Sequence, residues 1–298
     1  MKKGIALLIT IGFITVLTAL LGYMFAISKK SFDEVNKIES KNQSFIMFKD
    51  IKTILDRYTF DIKDSDDLSK FLLGLNPFYI HSKKNKLSLD IKIEPLSNKI
   101  NINSILIKNK INKHLEDFIK NICKNYNILD SSFLLSLILD TIDNDQISRQ
   151  ALSEISREDV KFSNSKIIDM KHFKKIVDYY IKITQDDNIL KIPWDKLIFF
   201  GKNQITMLDC DRMSTELINA LGLPAEEYSG CSSIADDNKL IATNYMFKPY
   251  TKGYSYYVAV NIKYQIEDMQ DGIAFDYDLK THEVDNVKWS TPYKLDKI

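Results

Sequence analysis

Apolar residues occupy the chain from Ile5 to Ser28 without a single charge. That run would make roughly 36 Å of helix, enough to cross a hydrocarbon core of about 30 Å. Past it, apolar residues recur at helical spacing: Phe32, Val35, Ile38, Phe45, Phe48, Ile51, Leu55 and Tyr58. Charges such as Lys37, Glu39, Lys49, Asp50 and Asp56 fill the positions between, and no Gly or Pro interrupts the chain from Gly22 to Gly74. The pattern predicts one helix from Ile5 to about Tyr58, roughly 80 Å long. An acidic linker follows, from Thr59 to Asp67, with Ser65 placed to cap a short helix ending at Gly74. Asn76-Pro77 breaks the chain. Leu87, Leu89, Ile91 and Ile93 then alternate with polar residues, a half-buried strand closed by Pro95.

The middle has a different texture. No Gly occurs from Ser104 to Phe200, and Pro193 is the one Pro there. Helical periodicity runs through Ile111, Leu115, Phe118, Ile119 and Ile122, through Phe133 to Ile142, and through Phe173, Ile176, Tyr179 and Ile183. About five helices with short connections are expected. Strand periodicity then returns at Tyr256, Val258, Val260, Ile262, Tyr264 and Ile266. Asp271-Gly272 reads as a hairpin turn leading to Ile273, Phe275 and Tyr277, and Val284, Val287 and Trp289 suggest a further strand. A long helix, an antiparallel meander and a helical module between them make an α+β chain.

Composition narrows function more than fold. Lys plus Arg number 41 against 40 Asp plus Glu, so bulk charge gives nucleic-acid binding no support. No Walker loop, H-E-x-x-H or G-x-S-x-G is present, and no enzymatic role is expected. His81, His114, His172 and His282 stand isolated, and Cys123 lies among apolar neighbours as a buried thiol. Cys210 and Cys231 flank a short segment; a disulfide and two free thiols are both open. The acidic group Asp140, Asp143 and Asp145 ends an apolar helix, where the helix dipole disfavours negative charge. A bound Ca²⁺ would remove that penalty. The alternative is a solvated acidic helix end; the spacing is not that of an EF-hand.

The start of the chain carries a resemblance. Met1-Lys2-Lys3-Gly4 stands directly before the apolar run, so the small residue precedes the helix instead of following it as in a secretory signal. This resembles the leader of type IV pilins and type II secretion pseudopilins, cut after Gly4 and N-methylated on Ile5 by a prepilin peptidase. The Glu usual at the fifth mature position is replaced by Ile9. That departure is similar to the K class of minor pseudopilins, general secretion pathway protein K. Three segments add to the likeness: Lys99-Ile100-Asn101-Ile102-Asn103, Leu139 to Asp145, and Ile205 to Asp211 followed by Ser214 to Leu223. In the third, Asp209 and Asp211 stand where the family has Asn; no counterpart of its G-A-E-x-x-Y stretch is present.

The resemblance implies a pilin-like head with a large inserted helical module. It divides the chain into a leader (1–4), the membrane part of the long helix (5–28), its amphipathic part (29–58), a linker and first strand (59–103), the insert (104–204) and the remainder of the head (205–298). It implies a single-pass bacterial inner-membrane protein with a periplasmic head, and calcium in the globular region. The implied partners are minor pseudopilins of the I and J classes, other pseudopilus subunits, the inner-membrane assembly platform and the prepilin peptidase. A minor pilin of a DNA-uptake machine and a signal-anchored periplasmic binding or adhesion domain are the alternative readings.

Overall fold

The fold is described by a computed structural model covering residues 2–74, 78–82, 87–202, 207–233, 246–247, 249–266 and 269–290. Helix α1 (Lys2–Phe60) is unbroken over 59 residues, roughly 90 Å. Every position from 11 to 39 is exposed, with Phe13 at 68% and Phe25 at 74%. Among the described residues this helix is long and apolar enough to cross a membrane, its most apolar 18-residue stretch having a mean hydropathy of 2.0. So much bare apolar surface needs lipid or an apolar partner.

The upper part of α1 packs on the head, and its buried face differs from the expected one. Ile51 and Leu55 are buried and Phe48 half-buried, but Phe45 and Tyr58 are exposed. Met47 also packs there, and the other buried positions are polar: Ser40, Ser44 and Thr59. They are buried because the sheet supplies partners. Ser40 and Ser44 each donate to Asp271 Oδ2 at 3.1 Å, Ser44 also bonds the Tyr264 hydroxyl, and Thr59 lies 3.2 Å from the Tyr277 hydroxyl. Helix α2 (Ser65–Gly74) follows. Its cap is Asp64, whose Oδ1 accepts from Asp66 N and Asp67 N, and not Ser65 as expected.

The principal sheet is antiparallel. It contains β1 (Phe78–Ser82) and β2 (Leu87–Pro95), followed far along the chain by β9 (Tyr257–Ile266), β10 (Met269–Asp278) and β11 (Val284–Ser290). Their order is β1-β2-β9-β10-β11. Strict alternation turns Val258, Val260, Ile262 and Tyr264 of β9, with Ile273, Phe275 and Tyr277 of β10, onto α1 and α2. Each fully buried side chain of this kind stabilises by about 1.5–3 kcal/mol. Asp271-Gly272 is not a turn: Gly272 pairs with Lys263 on one side and Ser290 on the other, inside β10. The Asp271 carboxylate is held by α1, and that tertiary contact overrides the local turn preference.

Strands β2 and β9 are neighbours, with Pro95 paired to Val258. Everything from 96 to 256 is therefore an excursion between two adjacent strands. Leu96 N and Ser97 N both donate to Tyr257 O, and Tyr257 N donates to Ser97 Oγ, closing its mouth.

The excursion opens with short pieces, β3 (Ile100–Asn101), β4 (Leu106–Ile107) and β5 (Lys110–Ile111). Its body is α3 (Lys113–Asn125), α4 (Ser131–Ile142) and α5 (Met170–Thr184), capped by Asn112, Asp130 and Asp169. Then come α6 (Trp194–Leu197), β6 (Ile198–Phe199), β7 (Met207–Leu208), α7 (Thr215–Ala220) and β8 (Met246–Phe247). Three helices are of full length; α6 and α7 are one- to two-turn pieces, fewer full helices than the periodicity suggests. A second core forms around Ile119, Ile122, Leu134, Leu137, Ile138 and Tyr180. It takes in Ile100 and Ile102 before the expected insert and Leu208, Leu217 and Ala220 after it.

Asn101 and Asn103 stitch the entrance of the module to its exit. Asn101 Oδ1 accepts from Gly201 N at 3.0 Å, and Asn103 Nδ2 donates to Ile167 O and Gly201 O. A Cβ at Gly201 would meet Asn101 Nδ2 at 2.7 Å, so the close approach requires glycine.

Candidate functional site

Helix α4 is buried from Leu137 to its end at Ile142, and Asp143, extended, is its C-cap. Asp140 is 1% exposed, so its charge must be met locally. Its Oδ2 accepts from Arg149 N at 3.0 Å and Ser153 Oγ at 2.5 Å, and its Oδ1 pairs with Arg149 Nη1. The same Nη1 pairs with Asp143 Oδ2. Arg149 thus supplies the positive charge at the C-terminal end of α4 that a metal was invoked to supply. Burial pushes the Asp143 carboxyl up, against the pull of Arg149.

The acidic trio is not assembled as a ligand set. Asp145 is exposed and its Oδ1 accepts from Ile147 N at 2.8 Å. Among the described residues no group of three or more His, Cys, Asp or Glu is placed to hold a metal ion. What the loop after α4 does contain is three buried oxygens with no hydrogen-bond partner: Asp143 Oδ1, Glu154 Oε2 and Asn164 Oδ1. Glu154 and Asn164 are joined at 2.6 Å, and Asn164 Nδ2 reaches Asp145 O at 3.5 Å. Such oxygens are the donor chemistry of a hard cation.

Cys210 and Cys231 are joined in a disulfide, with Cα atoms 4.9 Å apart. Closing a loop of this length stabilises by about 3 kcal/mol in the chain-entropy account. The segment is clasped to α2 and the sheet. Asp209, wholly buried, pairs with Arg212 at 2.6 Å and accepts from the Tyr256 hydroxyl at 2.7 Å; burial pushes its carboxyl up. Arg212 donates to Ser65 O at 2.9 Å and to Ser69 Oγ. Asp211 accepts from Cys231 N at 3.1 Å and Ser65 Oγ at 3.1 Å. Cys123 is a buried free thiol, its pKa pushed up to about 12 by burial.

Gly4, Ile5 and Ile9 fall on the helical backbone of α1, and their side chains lie outside the described residues. Ile205 and Thr206 also lie outside them. Sequence reasoning missed Arg149, Arg212, Glu154 and Asn164. A signal existed for the first two. Nearly all of the 41 basic residues are Lys, so an Arg beside an Asp cluster is informative: a guanidinium can fork between carboxylates where an ammonium cannot.

No protein-family model matches the chain, and no curated protein does. The fold nevertheless defines a class: α+β, with a long N-terminal helix running onto an antiparallel sheet, consistent with a pilin-like fold. Among solved structures, a chain of the GspK-GspI-GspJ complex from the type 2 secretion system of enterotoxigenic Escherichia coli is similar. Its TM-score is 0.51 at 10% identity, over 77% of this chain and 93% of that one. At that identity the likeness is one of fold.

Proposed function

We propose that the chain is a non-enzymatic minor pseudopilin of the K class, seated at the tip of a type II secretion pseudopilus. It joins minor pseudopilins of the I and J classes, starts assembly in the inner membrane, and is carried outward as further subunits add below. The observation that carries this reading is the excursion of residues 96–256 between adjacent strands of the head. A helical module with its own core makes the head bulky, and a bulky head fits at the end of a filament better than within its shaft. The leader resemblance adds Gly4 as the last residue removed and Ile5 as the methylated N-terminus. Mass spectrometry of the mature protein tests this. A methylated Ile5 is expected; intact Met1, or cleavage near Ser28, would support a signal-anchored binding domain instead.

The Ca²⁺ implied by the same resemblance would draw on the unpartnered oxygens of Asp143, Glu154 and Asn164, with Asp140 kept from it by Arg149 and Ser153. Bound there, it would neutralise the loop's carboxylates and fix its path. The double variant Asp143→Ala, Asp145→Ala separates metal from scaffold. Loss of the Arg149 pair lowers Tm equally in calcium and in chelator. A further drop confined to calcium is expected, and equal drops in both would remove the metal.

A further inference from the structure

Between the outer face of the sheet and the helical module lies a cleft of about 350 Å³. Strand register explains it. Asn261, Ala274 and Lys288 form one row across β9, β10 and β11, and Ala259 sits opposite Asp276 in the next. Ala259 and Ala274 carry only methyl groups, so the sheet is bare between its polar neighbours. The opposite wall is apolar, from Met170, Ile198 and Phe200.

The charges in this cleft are incompletely matched. Lys288 is closed off by Asp169 at 2.9 Å. Lys99 Nζ reaches only the backbone carbonyl of Asp195, at 2.7 Å. Asp276 accepts one hydrogen bond, from Asn286 Nδ2 at 2.6 Å. Among the described residues neither Lys99 nor Asp276 has an oppositely charged group within ion-pair distance, though both line the cleft and each lies within the other's field. Burial pulls the Lys99 ammonium down and pushes the Asp276 carboxyl up to about 6, so both charges are poorly solvated. Glu94 and Asp195 near Lys99, and Lys288, Asp285 and Asp169 near Asp276, complete the charges facing the site.

An amine alone would answer Asp276 but repel Lys99; a carboxylate alone would do the reverse. A molecule carrying both answers each. The volume lies at the lower end of ligand pockets, about 300–1,000 Å³, which suits an amino acid or a dipeptide. We propose that this cleft binds a small zwitterion of the amino-acid class, its ammonium on Asp276, its carboxylate on Lys99 and its aliphatic side chain against Met170 and Phe200. The inference stands apart from the pseudopilin reading.

Calorimetric titration of the full chain in detergent micelles tests it. The probes are leucine, leucyl-leucine, and two single-charge analogues, 3-methylbutylamine and 4-methylpentanoate. Leucine or leucyl-leucine is expected to bind, with each single-charge analogue weaker by about tenfold or more. The tighter of the two zwitterions tells whether the natural ligand is a free amino acid or a peptide end, and either supports the site. Asp276→Asn and Lys99→Met should each weaken the zwitterion by about tenfold. Both variants keep side-chain size and remove a charge that burial disfavours, and a thermal melt checks that they fold. Amine binding equal to that of leucine, affinity unchanged in both variants, or no binding of either zwitterion would overturn the proposal.

Discussion

Arg149 holds Asp140 and Asp143 together at the end of α4, with its side chain 32% exposed and theirs at 1% and 6%. Arg149→Met would leave two buried carboxylates without a cation. The expected loss is about 3–5 kcal/mol, read as a fall in the urea midpoint, with Arg149→Lys recovering part of it. The three aspartates were legible in the sequence because they follow an apolar helical run. Their partner was not, because the path of residues 144–148 follows no periodicity. Asp276 makes a second prediction at this scale. Its carboxyl is raised from an ordinary 3.8 to about 6, so the folded chain binds the proton more tightly than the unfolded one. The stability this gives is fully present below 3.8 and is lost as pH rises through about 6. Asp276→Asn should remove that loss, raising stability at pH 7 by about 1–3 kcal/mol. Thermal melts across pH 4 to 7 should show a flatter profile for the variant; parallel profiles would contradict the assignment.

At the scale of elements, the periodic segments were the readable ones. The alternation from Leu87 to Pro95 is β2 to the residue, and the long helix, α4 and β9 lie where their periods place them. Asp271-Gly272 failed because a dipeptide signal carries no knowledge of Ser40 and Ser44, which sit on a helix more than 200 residues away. The pairing of β2 with β9 was likewise invisible to local pattern, yet it yields a sharp expectation. Pro95 and Val258 are register partners, so a turn of about two to four residues can replace everything between Leu96 and Tyr256. The shortened chain should keep its sheet by circular dichroism. It should melt lower than the parent, because Tyr250 leaves the core under α1, and Asp211 and Arg212 leave α2. Complete loss of strand signal would show that the sheet cannot stand without the module.

For the whole molecule, the bare first half of α1 is long and apolar enough to cross a membrane, while its second half packs on the head. In the pilin-like family the Glu at the fifth mature position meets the N-terminal amine of a neighbouring subunit inside the apolar core. Ile9 offers no carboxylate, so under the proposed function this chain supplies only its own amine. Ile9→Glu should bring no gain in incorporation and would add a carboxylate to the membrane at a cost of at least a few kcal/mol. Cross-linking along the shaft measures it, and improved incorporation of the variant there would count against a tip role set by this residue. The excursion between β2 and β9 has one more effect, on the order of events during synthesis. When β1 and β2 leave the ribosome, the inner edge of β2 has no mate, and roughly 160 residues must still emerge before β9 arrives. Joining strands across so long a loop costs about 3 kcal/mol more than across a tight turn. A module that folds first shortens that loop to the distance between Leu96 and Tyr257, whose backbones are already hydrogen-bonded in the mature chain. Early closure of the three helices would thus lower the entropic cost of bringing β9 to β2 and speed completion of the sheet.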